Sequence, residues 1–566
     1  MSQDTTPDRT SGQVKFKLSL MMFLQYAIWG AWLPILYPFL LGYRGFSLSE
    51  TGLCLSAGAV GAIFGPFLAG QLADRLFSTE KLLAASHIIG AVLVFLLATV
   101  DDFLPFLVIS AVYGFVYAPT IALTNSISFA HINDRDRDFA PIRLWGTIGW
   151  IAAGILVGQY LLRTSTPEFG PGSGSGVTAI ELATDPEQFV PILLEESPAI
   201  EDSFAAGAAN WMKDQDEIPT GSRAEIASFL TLKISGAVVD YLETVDPDAL
   251  NTDQDGSQNI VASASNPDLW DAEVQSGAAE EAEAVIQAAT QDRGRRFAFS
   301  TSAILGLLMG VFCLFLPHTP PTRVKGDSSK KLAWAEALSE IRMQPLLTLF
   351  LIAIPVSMIH QFYFVYTSNF VTGIQNAASS AGADRFANAV NQIFGVGGGG
   401  LMTIGQMSEI LVLALIPFFA KLIGRKGLLL IGIAAYAGRM AIFAFAPDLV
   451  PVLFGVALHG LCFGCFIFVA FMIVDEHTTP DIRATAQNLF NLVIVGIGII
   501  VGSYFATAVV GAWAAIPEAD GGGTNYVKLF SVPMWMAIGC FVALLLAYPS
   551  KSAIAKSSSS ADSVLE

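Results

Sequence analysis

The chain of 566 residues is 53% hydrophobic and only 14% charged, with 40 phenylalanines and a mean hydropathy of +0.57. That balance lies outside the range of soluble globular domains and points to a polytopic membrane protein. The formal charge of −18 is confined to one segment, because between Arg163 and Arg296 there are 25 Asp and Glu against 7 Lys and Arg, while the remaining 23 acids match 23 bases. The absence of a basic face excludes a nucleic-acid partner.

A span needs about 20 apolar residues to cross a hydrocarbon core roughly 30 Å thick. By that measure twelve apolar spans are expected, near 18–41, 49–72, 82–100, 103–125, 142–162, 298–316, 345–371, 396–420, 427–446, 449–474, 485–512 and 529–548. The first follows Lys15 and Lys17. It is too long for the apolar core of a signal peptide and lacks a small-residue cleavage site, so it reads as a retained helix.

With the N-terminus inside, the inner segments carry eighteen Lys and Arg and the short outer loops three, Arg44, Arg385 and Lys528. The positive-inside rule then places both termini in the cytoplasm and the segment after span five outside. The expected organisation is two six-helix halves. Residues 1–162 carry helices 1–5, an acidic extracytoplasmic insertion covers 163–297, and 298–316 is helix 6. A cytoplasmic central loop covers 317–344, helices 7–12 cover 345–548 and a cytoplasmic tail covers 549–566.

Along that frame, "GQLADRL" at 70–76 joins spans two and three on the inner side, with Asp74 and Arg75 as a charged turn or a conformational latch. Span four, "YAPTIALTNSIS", carries Pro119, which removes a backbone donor and predicts a kink; Asn125 near its inner end reads as a helix terminator. Span five opens with "APIRLWGTIGW". Arg143, Thr147 and Trp150 are spaced i, i+4, i+7 and share one helix face. A cation, a hydroxyl and a large aromatic on one face suit a polar ring-bearing solute. The alternative is an Arg143 that snorkels to the boundary and only anchors. "PIR" at 141–143 and "PDIR" at 480–483 hold equivalent places, each predicted to start the fifth helix of its half with a proline.

The insertion opens with "FGPGSGSG" and continues with stretches of helical periodicity such as "AEIASFLTLKISGAVVDYLETV", predicting a small, mostly helical acidic domain. In span seven, "HQFYFVYTSNF" makes Gln361 a buried ligand-contact candidate, with Tyr366 and Asn369 assigned to the outer interface. Span eight holds "IGQMSEILVL", where Gln406 and Glu409 are three residues apart on one face. An ionised carboxylate there costs a few kcal/mol, roughly, against hydrocarbon. A proton on Glu409 removes most of that cost, and a nearby cation or bound solute offsets the ionised form. A residue that changes charge with its surroundings is what a proton-coupled carrier needs; a fixed pair with Arg439 of span nine is the alternative. His87 and His459 read as structural histidines, and Asp475, Glu476 and Arg483 as a gate or interface network at the inner boundary.

The five cysteines, Cys54, Cys313, Cys462, Cys465 and Cys540, all lie in apolar runs and form no disulfide framework. Cys462 and Cys465 have no second pair for a metal and read as packing residues. "FGVGGGGLMTIG" at 394–405 has no strand before it, so it is no phosphate cradle, and no nucleotide loop, metal cluster or nucleophile elbow appears. The sequence implies neither an enzyme nor a cofactor. The bilayer is the expected surrounding, and a monomer the expected state.

"FLQYAIWGAWL" in span one, with "YAPTIALTNSIS", "PIRLWGTIGW", "IGQMSEILVLALIPFF" and "DIRATAQ", resembles the nucleoside:proton symporters of the major facilitator superfamily over roughly 15–162 and 297–548. The resemblance implies twelve helices, a solute held between the halves, and contacts from Arg143, Thr147, Trp150, Gln361, Gln406, Glu409 and Phe463, with Glu409 coupling to protons. It also implies a nucleoside-like solute and protons as partners. Two positions depart from the family pattern. Phe364 stands where an asparagine is expected one turn after Gln361, and Gly464 stands where an acid follows the aromatic Phe463. These departures leave room for a modified nucleoside or another polar ring compound. A sugar or drug carrier of the same fold, possibly an exporter, and a transporter-like sensor using the insertion are the other readings.

Overall fold

A computed structural model describes residues 10–75, 77–167, 169–170, 175–196, 223–244, 270–320, 337–380, 385–479, 482–517 and 523–549. Among the described residues every long element is helical, and the one β-bridge, Ala515 to Thr524, is isolated. Among the described residues eleven helices are long and apolar enough to cross a membrane. The remaining expected span, 49–72, corresponds to a helix over Leu48–Arg75. Its side chains beyond 63, Asp74 and Arg75 included, lie outside the described residues.

The first half comprises α1 (Gly12–Trp32), α2 (Leu48–Arg75), α3 (Thr79–Leu97), α4 (Phe103–His131) and α5 (Arg135–Thr164). Its first span continues past Trp32 through short turns to Tyr43. Among the described residues there follow α6 (Ala179–Thr184), α7 (Pro186–Glu196), α8 (Arg223–Thr244) and α9 (Ala272–Gly294). Then come α10 (Arg296–Cys313), α11 (Leu346–Ser380) and α12 (Arg385–Phe394). A 47-residue run, α13 (Gly399–Phe445), is broken at Gly424, whose φ of 76° separates spans eight and nine. The chain ends its described course with α14 (Leu449–Ala457), α15 (Arg483–Asn491) and α16 (Tyr526–Ala547). The spans that begin with α14 and α15 run on to Glu476 and Ala514.

Each half has its own apolar core. One gathers Leu18, Met22, Phe39, Tyr117 and Phe299, and the other Phe362, Tyr363, Tyr436, Phe466 and Phe530. The outward faces stay apolar too: Ile89, Val92 and Phe95 of α3 and Leu307, Leu308 and Val311 of α10 are exposed. Such helices suit a lipid surrounding, where the backbone is satisfied internally and no polar face is required. All five cysteines are free and buried. The insertion has a third core of Leu182, Val190, Leu194, Leu230, Ile234, Ala278 and Ile286. Thr178 starts its first helix with a capping box shared with Glu181.

Two expectations need correction. Span five does not begin at Pro141: α5 starts six residues earlier, where the Asp134 carboxylate accepts the Arg137 N–H at 3.0 Å. Asp138 there binds Lys15 at 2.7 Å and Thr10 at 2.7 Å, which ties this extra turn to the start of α1. A polar N-terminal turn carries too little hydropathy to register as a span, so the proline is interior and not a helix start. Asn125 does not terminate span four, which runs on to His131 because the chain still has core to cover with Ile127 and Ser128. Tyr366 and Asn369 lie beyond the midpoint of α11, each bonded to a neighbouring span. α11 extends to Ser380, the Tyr366 hydroxyl donates to Ala506 O at 2.9 Å, and the Asn369 amide donates to the Tyr526 hydroxyl at 3.3 Å.

Candidate functional site between the two halves

The site begins with how closely α5 lies on α1. A Cβ at Gly149 would stand 2.1 Å from the Phe23 carbonyl oxygen. Glycine therefore lets the two backbones touch, as small residues do between membrane helices. That approach sets the Arg143 guanidinium over the Tyr26 ring, 4.0 Å from its centroid. The cation faces into the protein from the first half, close enough for its charge to act on the Glu409 carboxylate of the second half. Thr147 and Trp150 follow on the same helix, both partly buried.

Opposite, Gln406 and Glu409 lie on the first limb of α13. Gln406 is buried and its Oε1 has no hydrogen-bond partner. The Glu409 side chain is 13% exposed and its Oε2 stands 3.9 Å from His459 Nε2. That neighbour is in place because α13 and the tenth span touch: a Cβ at Gly405 would stand 2.8 Å from the Tyr363 hydroxyl and 3.0 Å from His459 Cβ. The Ser408 hydroxyl fastens the same crossing by donating to Ala457 O at 2.5 Å and accepting the Gly460 N–H at 3.0 Å.

Behind His459 lies Arg439, fully buried. Its Nη1 is 3.3 Å from His459 Nδ1, and its guanidinium lies 4.2 Å from the Tyr363 ring centroid and 5.1 Å from that of Tyr436. His360 stacks on His459 at 5.4 Å and meets the Tyr436 hydroxyl at 2.7 Å. The direct Glu409–Arg439 pair is thus replaced by a chain in which His459 stands between them. Reading His360, Arg439 and His459 one at a time missed this cluster. The available signal was three basic side chains in three apolar spans of one half.

The other candidates fall into place as follows. Phe463 stacks beside His459 with ring centroids 6.4 Å apart, on a wider π turn over Cys462–Phe468, a helix irregularity frequent at functional sites. Gln361 is buried and its amide donates to the Ser503 hydroxyl at 3.1 Å, so it is engaged with the eleventh span. Phe364 packs edge-on against His360 and His459, which makes that position apolar. Arg483 is apart from this set: its Nε lies 3.6 Å from Asp475 at the far end of the second half, and Gln487 donates to the same carboxylate at 2.9 Å.

The halves are joined at the end that bears the insertion. Val396 N–H donates to Gly158 O at 3.1 Å, and Gln159 donates to Gln392 O at 2.8 Å. Ser56 donates to Ile500 O at 3.0 Å on the other side of the bundle. The glycine run is the means of the first contact. Gly395, Gly397 and Gly398 have φ of 76°, 80° and 78°, and the Gln375 side chain binds the turn through Gly395 O at 2.9 Å and Gly398 N at 3.1 Å. The insertion adds to it, because Gln291 of α9 donates to Asn376 of α11 at 3.2 Å and both are buried. At the opposite end the ion pairs among the described residues each stay within one half, Lys15–Asp138 and Arg137–Asp138 in the first, Arg425–Glu476 and Arg483–Asp475 in the second.

Comparison with known proteins follows this geometry. A family model described as nucleoside H+ symporter matches residues 12–168 and 283–553, leaving the middle of the acidic segment outside the match. A putative nucleoside transporter, YegT, of Escherichia coli is 26% identical over 86% of this chain and 82% of its own. The nucleoside permease NupG of the same organism is 23% identical over 88% of each chain. The crystal structure of nucleoside transporter NupG superposes with a TM-score of 0.61 at 21% identity, covering 95% of this chain and 100% of that one. A D-xylose–proton symporter shares the fold at a TM-score of 0.51 and 12% identity. With eleven helices fit to span, the chain is an integral membrane protein of transporter fold.

Proposed function

Because the chain belongs to the nucleoside H+ symporter family, we propose that it is a twelve-helix secondary transporter of the inner membrane that imports nucleosides together with protons by alternating access. Both termini are cytoplasmic and the insertion is extracytoplasmic, as the Lys and Arg distribution requires. The state described here is then closed to the outside, since the contacts between halves gather at the insertion end, and open toward the cytoplasm.

In this reading Arg143 and Gln406 orient the solute, Trp150 and Phe463 stack on its base, and Thr147 and Gln361 line the walls. A stacked, planar guanidinium presents its hydrogen-bond donors in a fixed fork, which suits the carbonyl and hydroxyl oxygens of a nucleoside. Glu409 couples the cargo to the proton. Its carboxyl is neutral when loaded, so the closed bundle can rock without dragging a bare charge through its apolar middle. When the proton leaves, the anion draws Arg143 toward it and loosens that residue's hold on the solute. Asp74, Arg75 and Arg483 serve at the cytoplasmic gate. The observation that carries the reading is one acid, Glu409, only 13% exposed on a membrane-spanning helix and 3.9 Å from His459 Nε2.

The test is uptake in proteoliposomes under an imposed pH gradient, with a panel of labelled nucleosides and sugars. Glu409→Gln is expected to abolish accumulation against a gradient while nucleoside exchange persists. Normal pH-driven accumulation by that variant would remove Glu409 from the mechanism, and accumulation of sugars but not nucleosides would remove the substrate class.

A further inference from the structure

Among the described residues Arg439 is a fully buried cation that pairs with no acid. Among the described residues the acids that form ion pairs in its half are Glu409, Asp475 and Glu476. The closest of them to Arg439 along the chain of contacts is Glu409, with an imidazole between. Two of its nitrogens, Nε and Nη2, have no hydrogen-bond partner, and the faces of Tyr363 and Tyr436 cover the guanidinium instead. Cation–π contact offsets part of the desolvation cost, on the order of 2 kcal/mol when water is excluded. Among the described residues its hydrogen bond runs from Nη1 to His459 Nδ1 at 3.3 Å.

Donor chemistry makes that contact informative. A guanidinium has only N–H donors and no acceptor, so His459 Nδ1 must be the acceptor. The ring proton is then on Nε2, the nitrogen 3.9 Å from Glu409 Oε2. An imidazolium, protonated on both nitrogens, would point a donor at a donor. We infer that Arg439 is a positioning residue that locks His459 as the neutral Nε2–H tautomer, and that His459 thereby supplies Glu409 with a fixed hydrogen-bond donor that tunes the proton step.

The lock has a place in the cycle. At 3.9 Å the donor is just beyond hydrogen-bond reach, and a small shift of the α13 crossing brings it into contact with an ionised Glu409. The donor is held in place, because Arg439 engages the other nitrogen and the rings of His360 and Tyr363 stack against the imidazole at 5.4 and 4.8 Å. The titratable and charged groups acting on Glu409 are thus Arg143 from α5, Tyr363 from α11 and His459 from the tenth span, with Arg439 and His360 behind it. A hydrogen bond to the ionised form favours that form. Without the donor, Glu409 keeps its proton to higher pH.

This inference rests on Glu409 as the coupling residue, and the experiment separates the two. Uptake is measured across pH for the wild type, Glu409→Gln, His459→Phe, His459→Gln and Arg439→Met in proteoliposomes. Glu409→Gln should flatten the profile; if it does not, the coupling reading fails. With that profile flat, His459→Phe and Arg439→Met should move the midpoint about one pH unit to the alkaline side, a tenfold change in proton affinity. His459→Gln, which keeps an N–H donor, should stay near wild type. A wild-type midpoint in His459→Phe, or an equal shift in His459→Gln, overturns the positioning role. Because Arg439→Met can fail to fold, the tautomer is also read directly by solid-state NMR of 15N-histidine-labelled full-length protein in lipid. The His459 signal is identified by its loss in His459→Gln. A proton on Nε2 with Nδ1 bare is expected; a proton on Nδ1 overturns the inference.

Discussion

Both halves bury a polar cluster, and the two clusters are built on opposite principles. In the first half Gln25, His87, Tyr117 and Thr120 form a neutral set. The Gln25 amide donates to Thr120 at 2.7 Å and meets His87 Nε2 at 2.9 Å, and the Tyr117 hydroxyl donates to Gln25 O at 2.5 Å. Only His87 Nδ1 is left over. In the second half Arg439, His459, His360, Tyr363 and Tyr436 surround a charge with rings and leave donors unfilled. A satisfied network holds one arrangement of its helices, whereas a charged, incompletely satisfied one has alternatives close in energy. On the proposed reading, the first half serves as the frame that presents Arg143 and the second as the half that responds to a proton.

The comparison can be broken in several ways. The largest effect is expected from tying the responsive half to the insertion. A Gln291→Cys/Asn376→Cys disulfide should stop uptake completely and a reductant should restore it; transport by the oxidised protein would mean that α9 and α11 never separate. Next comes the frame itself. Gln25→Leu strips partners from His87 and Thr120 and should cost about 1–3 kcal/mol of stability, seen as a lower Tm in detergent, with the pH midpoint of uptake unmoved. A shifted midpoint would erase the division of labour. Arg143→Lys keeps the charge but loses the planar stack on Tyr26, and KM should rise roughly tenfold, with the pH profile retained. The smallest effect belongs to the insertion. Burial pushes the Glu283 carboxyl up to about 7, despite the Gln287 amide donating to it at 2.5 Å. A raised acid favours the folded state while protonated, so stability is lost as pH climbs from about 4.5, the unfolded value, through about 7. Glu283→Gln should flatten thermal melts of the insertion's helices across that window; a slope equal to wild type would show that Glu283 is not the group responsible.

Much of this was open to a reader of the sequence. Apolar runs, their lengths and the Lys and Arg between them mark the helices, because a lipid surrounding punishes any unsatisfied backbone and leaves the pattern little freedom. Spacing alone put Arg143, Thr147 and Trp150 on one face and Gln406 with Glu409 on another, since helical period is a local property. Helix ends were less legible. Asp138 ties the added first turn of α5 to Lys15 and Thr10, more than a hundred residues away in sequence, and no local signal encodes those contacts.

What the tertiary structure alone decided is which groups meet. Nothing in "AAYAGRMAIFAF", "ALHGLCFG" or "HQFYFVY" says that Arg439, His459 and His360 converge, nor that the glycines at 395–398 close the two halves against each other. Convergence depends on how near helices from distant segments can come, and that is set by small residues at the crossings, such as Gly405, which leaves room for His459. A single sequence shows each glycine and each base, but the distance between them exists only after the helices have packed.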